Sequence, residues 1–226
     1  MATAIIPASD WGSITSNNQP TWAGARGAST GTIQSPNVLE DVEIYAIAGS
    51  RSNTYRVSRF FMWFDTSPYA GNITALDYYF PSGGQQGNAE YIIDESTAFG
   101  GAGAGSPLVG NDFNNAAFQT QLTGPFQWSF APIVTVSGLS NAVLLANTGV
   151  LNSAILDYNY DDSNVSPNLP TTTSVDIVQG EPIDIYIEIT YSTGWAGGSS
   201  INGVALADLG SMNGVPFSDI ASINGI

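Results

Sequence analysis

The chain has 226 residues, with four Arg, no Lys, no His, no Cys and 19 acidic residues, giving a formal charge of −15. Four scattered cations can neither neutralise a phosphate backbone nor hold an anionic bilayer surface, which excludes nucleic acid and membrane as partners. Without His, Cys or Lys there is no Ser-His-Asp triad, thiolate zinc site, phosphate-loop lysine or Schiff base, and no cofactor is implied. The catalysis left is carboxylate chemistry, chiefly glycoside hydrolysis.

Only 10% of the chain is charged, well under the roughly 25% of ordinary domains, so solubility rests on Asn, Ser, Thr, Gln and Gly. Such a surface suits an exposed, assembled structural protein. The opening Met1-Ala-Thr-Ala-Ile-Ile-Pro7 has no basic or long apolar run, so a route outside the cell other than ordinary secretion is expected.

In chain order, residues 1–34, with Trp11 and Trp22, read as an arm or edge strands. Val42 to Ala48 reads as a strand, and Tyr55 to Phe64 as one that starts by alternating and ends in a continuous apolar run, as on entering a core. Asp65 to Asn72 is turn-rich, and Ile73 to Phe80 reads as the returning strand. The Gly-rich stretch Phe99 to Pro107 lacks the spacing and the Lys of a nucleotide loop and reads as a flexible or packing loop. Asp112 to Leu122 is spaced for a short helix with Asp112 as N-cap. Phe126 to Val136, split by Pro132, is one bent strand or two short ones. In Ile183 to Tyr191 the odd-numbered residues point one way, and Asp184, Glu188 and Thr190 the other. Together these predict an all-β, jelly-roll-like antiparallel sandwich over 35–193, a linker at 194–200, and a repetitive tail at 201–226.

Several residues are candidates for chemistry. Asp157, Asn159 and Asp161 alternate, and in a loop would offer hard oxygens to Ca²⁺; in a strand they would be a solvated face. A hydrolytic pair would come from Asp65, Asp77, Asp94, Glu95, Asp184 or Glu188. Most of the 25 aromatics belong to a core. Trp11, Trp22, Trp128 and Trp195 are the more exposed by pattern, with Trp22 and Trp128 the possible glycan contacts. Arg56 and Arg59 are expected to pair with carboxylates at an interface or sheet end.

The tail repeats with a period of eleven: Ile201 to Ser211, Met212 to Ser222, and Ile223 to Ile226. Each unit carries Asn-Gly second and third: Asn202-Gly203, Asn213-Gly214 and Asn224-Gly225. Asn-Gly favours the type I′ turn that reverses a strand within two residues, so each unit is predicted to be a tight turn and a short extended segment. A continuous helix of period eleven is the rival, opposed by three internal Asn-Gly pairs. Ile201, Val204, Leu206, Leu209, Met212, Val215, Phe217, Ile220, Ile223 and Ile226 are too many apolar side chains for so short a ribbon to cover. Burial against another chain is therefore expected.

Arg59-Phe-Phe-Met-Trp-Phe-Asp-Thr-Ser67 with Ile73-Thr-Ala-Leu-Asp-Tyr-Tyr-Phe80 resembles the strand pair of DNRLRE-like jelly-roll modules, found in extracellular and bacteriophage structural proteins. Asp157 to Tyr160 and Ile187 to Ser192 resemble the close of those modules, and the I-N-G-V ending is similar to repeats that finish many virion proteins of marine and freshwater tailed phages. The resemblance implies a bacteriophage virion component displayed on the particle surface and made in the host cytoplasm without a signal peptide. The function expected is non-enzymatic: a capsid decoration, head fibre or tail appendage forming homo-oligomers, dimer or trimer, among other virion proteins. A carbohydrate-binding module for a host-surface glycan is the alternative, and a carboxylate glycosidase the third.

Overall fold

A computed structural model describes residues 1–34, 40–81, 84–114, 116–128, 133–177 and 185–192, and in the tail 200–201, 204–205, 211–212 and 215–216 as backbone. The strands in chain order are β1 (Ala2–Pro7), β2 (Asp10–Ser16), β3 (Gly31–Ile33), β4 (Glu40–Ile47), β5 (Thr54–Asp65), β6 (Ile73–Pro81), β7 (Gln85–Gln86), β8 (Glu90–Ser96), β9 (Ala116–Gln121), β10 (Phe126–Gln127), β11 (Ile133–Ser137), β12 (Val150–Asp157), β13 (Thr171–Ile177) and β14 (Tyr186–Tyr191). The tail adds β15 (Ser200–Ile201), β16 (Val204–Ala205), β17 (Ser211–Met212) and β18 (Val215–Pro216). Among the described residues there are also two short helices, α1 (Trp22–Arg26) and α2 (Ser140–Ala146), and a few short turns. Among the described residues strand exceeds helix, 52% to 17%, so the protein is all-β, an antiparallel sandwich with a curled sheet forming a half-barrel.

The small sheet runs β1-β14-β6-β11 and the large one β10-β8-β12-β5-β4-β13-β7, with β2, β3 and β9 joined to it. Between them lies one core. Leu76, Tyr78, Phe80, Ile187, Ile189, Val134 and Val136 of the small sheet meet Phe60, Met62, Phe64, Ile93, Leu151, Ile155 and Val175 of the large one. The opposite face of the large sheet buries a second cluster, with Ile14, Phe61, Ile92, Ala154 and Leu156 packed under Trp22, Phe99 and Phe113. The continuous apolar run of β5 follows from this: Phe60, Met62 and Phe64 face one core, Phe61 the other. A strand covered on both sides has no solvent face to alternate with.

Two sequence expectations change. Ile73 to Phe80 does not return beside β5; the Thr66–Asn72 connection carries the chain to the opposite sheet, where β6 pairs with β14 and β11. Asp112 to Leu122 is not a helix. A 3₁₀ turn spans Gly110–Asn114, and β9 then pairs with β8, satisfying an edge that a helix would leave bare. The Asp112 carboxylate accepts from the earlier Val109 N–H at 3.1 Å, so it closes a turn and caps no helix. Phe126 to Val136 resolves into β10 in the large sheet and β11 in the small one. Strands β1, β2 and β3 make the N-terminal segment part of the sheets, β1 as an edge.

Candidate functional site

In the tail, Ile201 pairs with Val204 and Ser200 with Ala205; eleven residues on, Met212 pairs with Val215 and Ser211 with Pro216. Sequence repetition has become structural repetition in identical register. Each unit is a two-stranded sheet of its own, separate from both sheets of the sandwich. Asn202, Gly203, Asn213, Gly214, Asn224, Gly225, Leu206, Leu209, Phe217, Ile220, Ile223 and Ile226 lie outside the described residues. Two rungs of pairing make a hairpin shorter than those already marginal in water.

The aromatic candidates are corrected. Trp22 is 7% exposed and Trp128 3%, so neither offers a stacking face. Trp22 sits edge-on to Tyr55, and Trp128 packs among Phe80, Tyr91 and Phe126 with ring centroids 5.7–6.0 Å away. Trp22 packs from α1 onto the second cluster, and Trp128 lies in the core between the sheets. Trp11 is half-buried on Phe60, and Trp195 is outside the described residues. Among the half-buried aromatics of the described residues, Tyr79 and Tyr186 are cross-strand partners on the outer face of the small sheet, stacked at 4.6 Å and 9°. Two rungs on, and on the same face, Asp77 is opposite Glu188. Desolvation first, then the charges of Glu188 and Asp77, raise the Tyr79 phenol above its ordinary pKa.

Asp157, Asn159 and Asp161 do not converge on a cation, and they are not a solvated strand face either. The chain leaves β12 into a π-turn at Tyr158–Asp162, which sends the three side chains apart. Asp157, 1% exposed, accepts from Tyr160 N–H and from the Thr173 hydroxyl, both at 2.9 Å. Burial outweighs those bonds and pushes its carboxyl up to about 6. Asn159 accepts from Glu90 N–H at 2.8 Å. Asp161 is wholly buried and holds Arg59 through two bonds, 2.7 and 2.9 Å. Among the described residues, no group of three or more carboxylates gathers as a metal cage.

Both arginine expectations concerned a carboxylate partner. Arg56 donates to Glu43 from Nε at 2.9 Å. Arg59 is not at a sheet end but fully enclosed, donating also to the Phe113 and Arg26 carbonyls at 2.6 and 2.7 Å and lying 4.2 Å over the Phe113 ring. Arg26 adds a bond from Nε to the Asp161 carbonyl at 2.6 Å. One guanidinium thus joins β5, α1, the 110–114 turn and the π-turn.

Of the other carboxylates, Asp65 is exposed, Asp94 is fully buried and Asp184 lies outside the described residues. Asp94 faces the second cluster from β8, where no hydrogen-bond donor reaches either of its oxygens. The Asp162 carboxyl stands against it instead, a contact that is a hydrogen bond only when one of the two is protonated. Burial first, then the negative charge of Asp162, pushes Asp94 up to about 7. Nothing in the spacing of 94 and 162 announces this pair. The sequence matches no family model and no curated protein.

Proposed function

We propose that this is a non-enzymatic structural protein of a bacteriophage particle, a decoration, fibre or appendage, in which the sandwich faces outward and the tail fixes each copy to its neighbours. The observation that carries this reading is the pair of hairpins repeated at eleven residues in the same register, each a sheet apart from the sandwich. Such ribbons are too small to make a core of their own, and other chains would supply it, as further strands of a neighbour's ribbon or sheet edge. The sparse charge and the resemblance of the β5–β6 segment and of the ending to phage structural proteins support the same reading. Particles assembled with a chain lacking residues 199–226 should lose the protein; particles that retain it at full copy number would refute the docking role.

A second reading is favoured by the outer face of the small sheet, where Tyr79 and Tyr186 stand beside Asp77 and Glu188. Aromatic rings flanked by carboxylates suit the C–H faces and vicinal hydroxyls of a host-surface saccharide. Glycan-array binding that disappears with Tyr79→Ala and Tyr186→Ala would support it. Binding unchanged in both variants would refute it.

A further inference from the structure

We propose that Asp94 and Asp162, with the side-chain carbonyl of Asn152, form a site for a hard divalent cation, Ca²⁺ above all. A carboxylate taken wholly out of water is compensated by a hydrogen-bond donor, a cation or a proton. Asp94 is 0% exposed, has no donor at either oxygen, and confronts a second acid.

The surrounding charge leaves Asp94 uncompensated. Two acids of the π-turn act on Asp94 of β8: Asp162 by contact and Asp161 through space. Two guanidinium groups are present, but both engage Asp161: Arg59 through its two-bonded fork, and Arg26 at 3.5 Å from the same carboxylate. Arg26 also acts on Asp162 through space. The balance is one negative charge over, and Asp94 is the fully buried acid that neither guanidinium engages.

Asn152 supplies a second, separate observation. It lies on β12 two residues before Ala154, the cross-strand partner of Asp94, and therefore on the same face of the sheet. Its Nδ2 donates to the Ala98 and Gly101 carbonyls at 3.2 and 2.7 Å, which fixes which end of the amide is the oxygen. That Oδ1 is also buried and without a donor. Oxygens from two carboxylates and one amide are what Ca²⁺ coordinates, with water completing its six to eight positions. Softer metals have no ligand here, since the chain lacks Cys and His. Asp162 is partly exposed and gives an ion its way in.

The experiment is Ca²⁺ binding to the intact, chelator-stripped chain at pH 8, by calorimetry and by Tb³⁺ luminescence. One saturable site per chain, weakened at least tenfold in both Asp162→Asn and Asp94→Asn, is the expected result. Asp162 is partly exposed, so its variant stays informative should Asp94→Asn fail to fold. Asn159→Ala should bind normally, which separates this site from the alternating 157–161 motif. No saturable binding by the wild-type chain would overturn the proposal and leave the pair as a proton-sharing one. Equal binding in Asp162→Asn would overturn it too, by placing the ion elsewhere.

Discussion

Arg59 and Asp161, 102 positions apart, close a two-bonded ion pair in which neither side chain is exposed at all. Bringing two charges out of water is expensive, and here the cost is offset by carbonyls of two further elements and by a ring face. Removing one partner strands the other. Arg59→Met should therefore destabilise by about 3–5 kcal/mol in urea unfolding, and Asp161→Leu by a similar amount. Because the two act as one unit, the double variant should lose clearly less than the sum of the singles. Additive losses would show that the pair is not coupled.

Asp157 sets a pH dependence of definite sign. Its folded value of about 6 lies above the ordinary aspartate value of 3.8, so the folded state holds the proton longer. The resulting stabilisation is complete below about pH 4 and disappears as pH rises through 6. At about 1.4 kcal/mol per pKa unit, the change is on the order of 3 kcal/mol. Asp157→Asn, which is uncharged at every pH, should flatten that part of the stability profile between pH 4 and 7.5. A profile identical to wild type would contradict the assignment.

Trp128 fills the end of the inter-sheet core among three aromatic rings. Trp128→Ala should cost about 3–5 kcal/mol through the cavity it leaves, while Trp128→Phe should cost much less. Thermal melts decide this. A folded, equally stable Trp128→Ala protein with lost glycan binding would restore the exposed reading that the burial overturns.

What was legible in the sequence follows the physics of each element. Strand β14 has one wet face, so Ile187 and Ile189 alternate with Glu188 and the pattern can be read directly. Strand β12 is buried on both sides, and Val150-Leu-Asn-Ser-Ala-Ile-Leu-Asp157 shows no period to recognise. The tail hairpins were legible because Asn-Gly encodes its own turn. The buried charges were not: Arg59 is visibly out of place on an apolar strand face, but its partner depends on how the chain crosses between sheets. The same applies to Asp94 and Asp162, whose meeting is a product of the π-turn lying over β8. The Asp157–Asp161 alternation misled because alternate spacing has meaning only where the chain stays extended.

The turns of the tail give a local test. Replacing Asn213-Gly214 by Ala-Ala removes the residues that accept positive φ at a two-residue reversal. The β17–β18 ladder should then fail to form, and self-association should weaken while the melting temperature of the sandwich stays unchanged. A drop in that temperature would place the tail against its own sandwich.

The most direct measurement is the molar mass of the intact chain beside a 1–198 truncation, by light scattering at matched concentrations. A defined oligomer for the full chain and a folded monomer for the truncation is the predicted result. A monomeric full-length protein, or an oligomer that survives loss of the tail, would contradict assembly through the repeats.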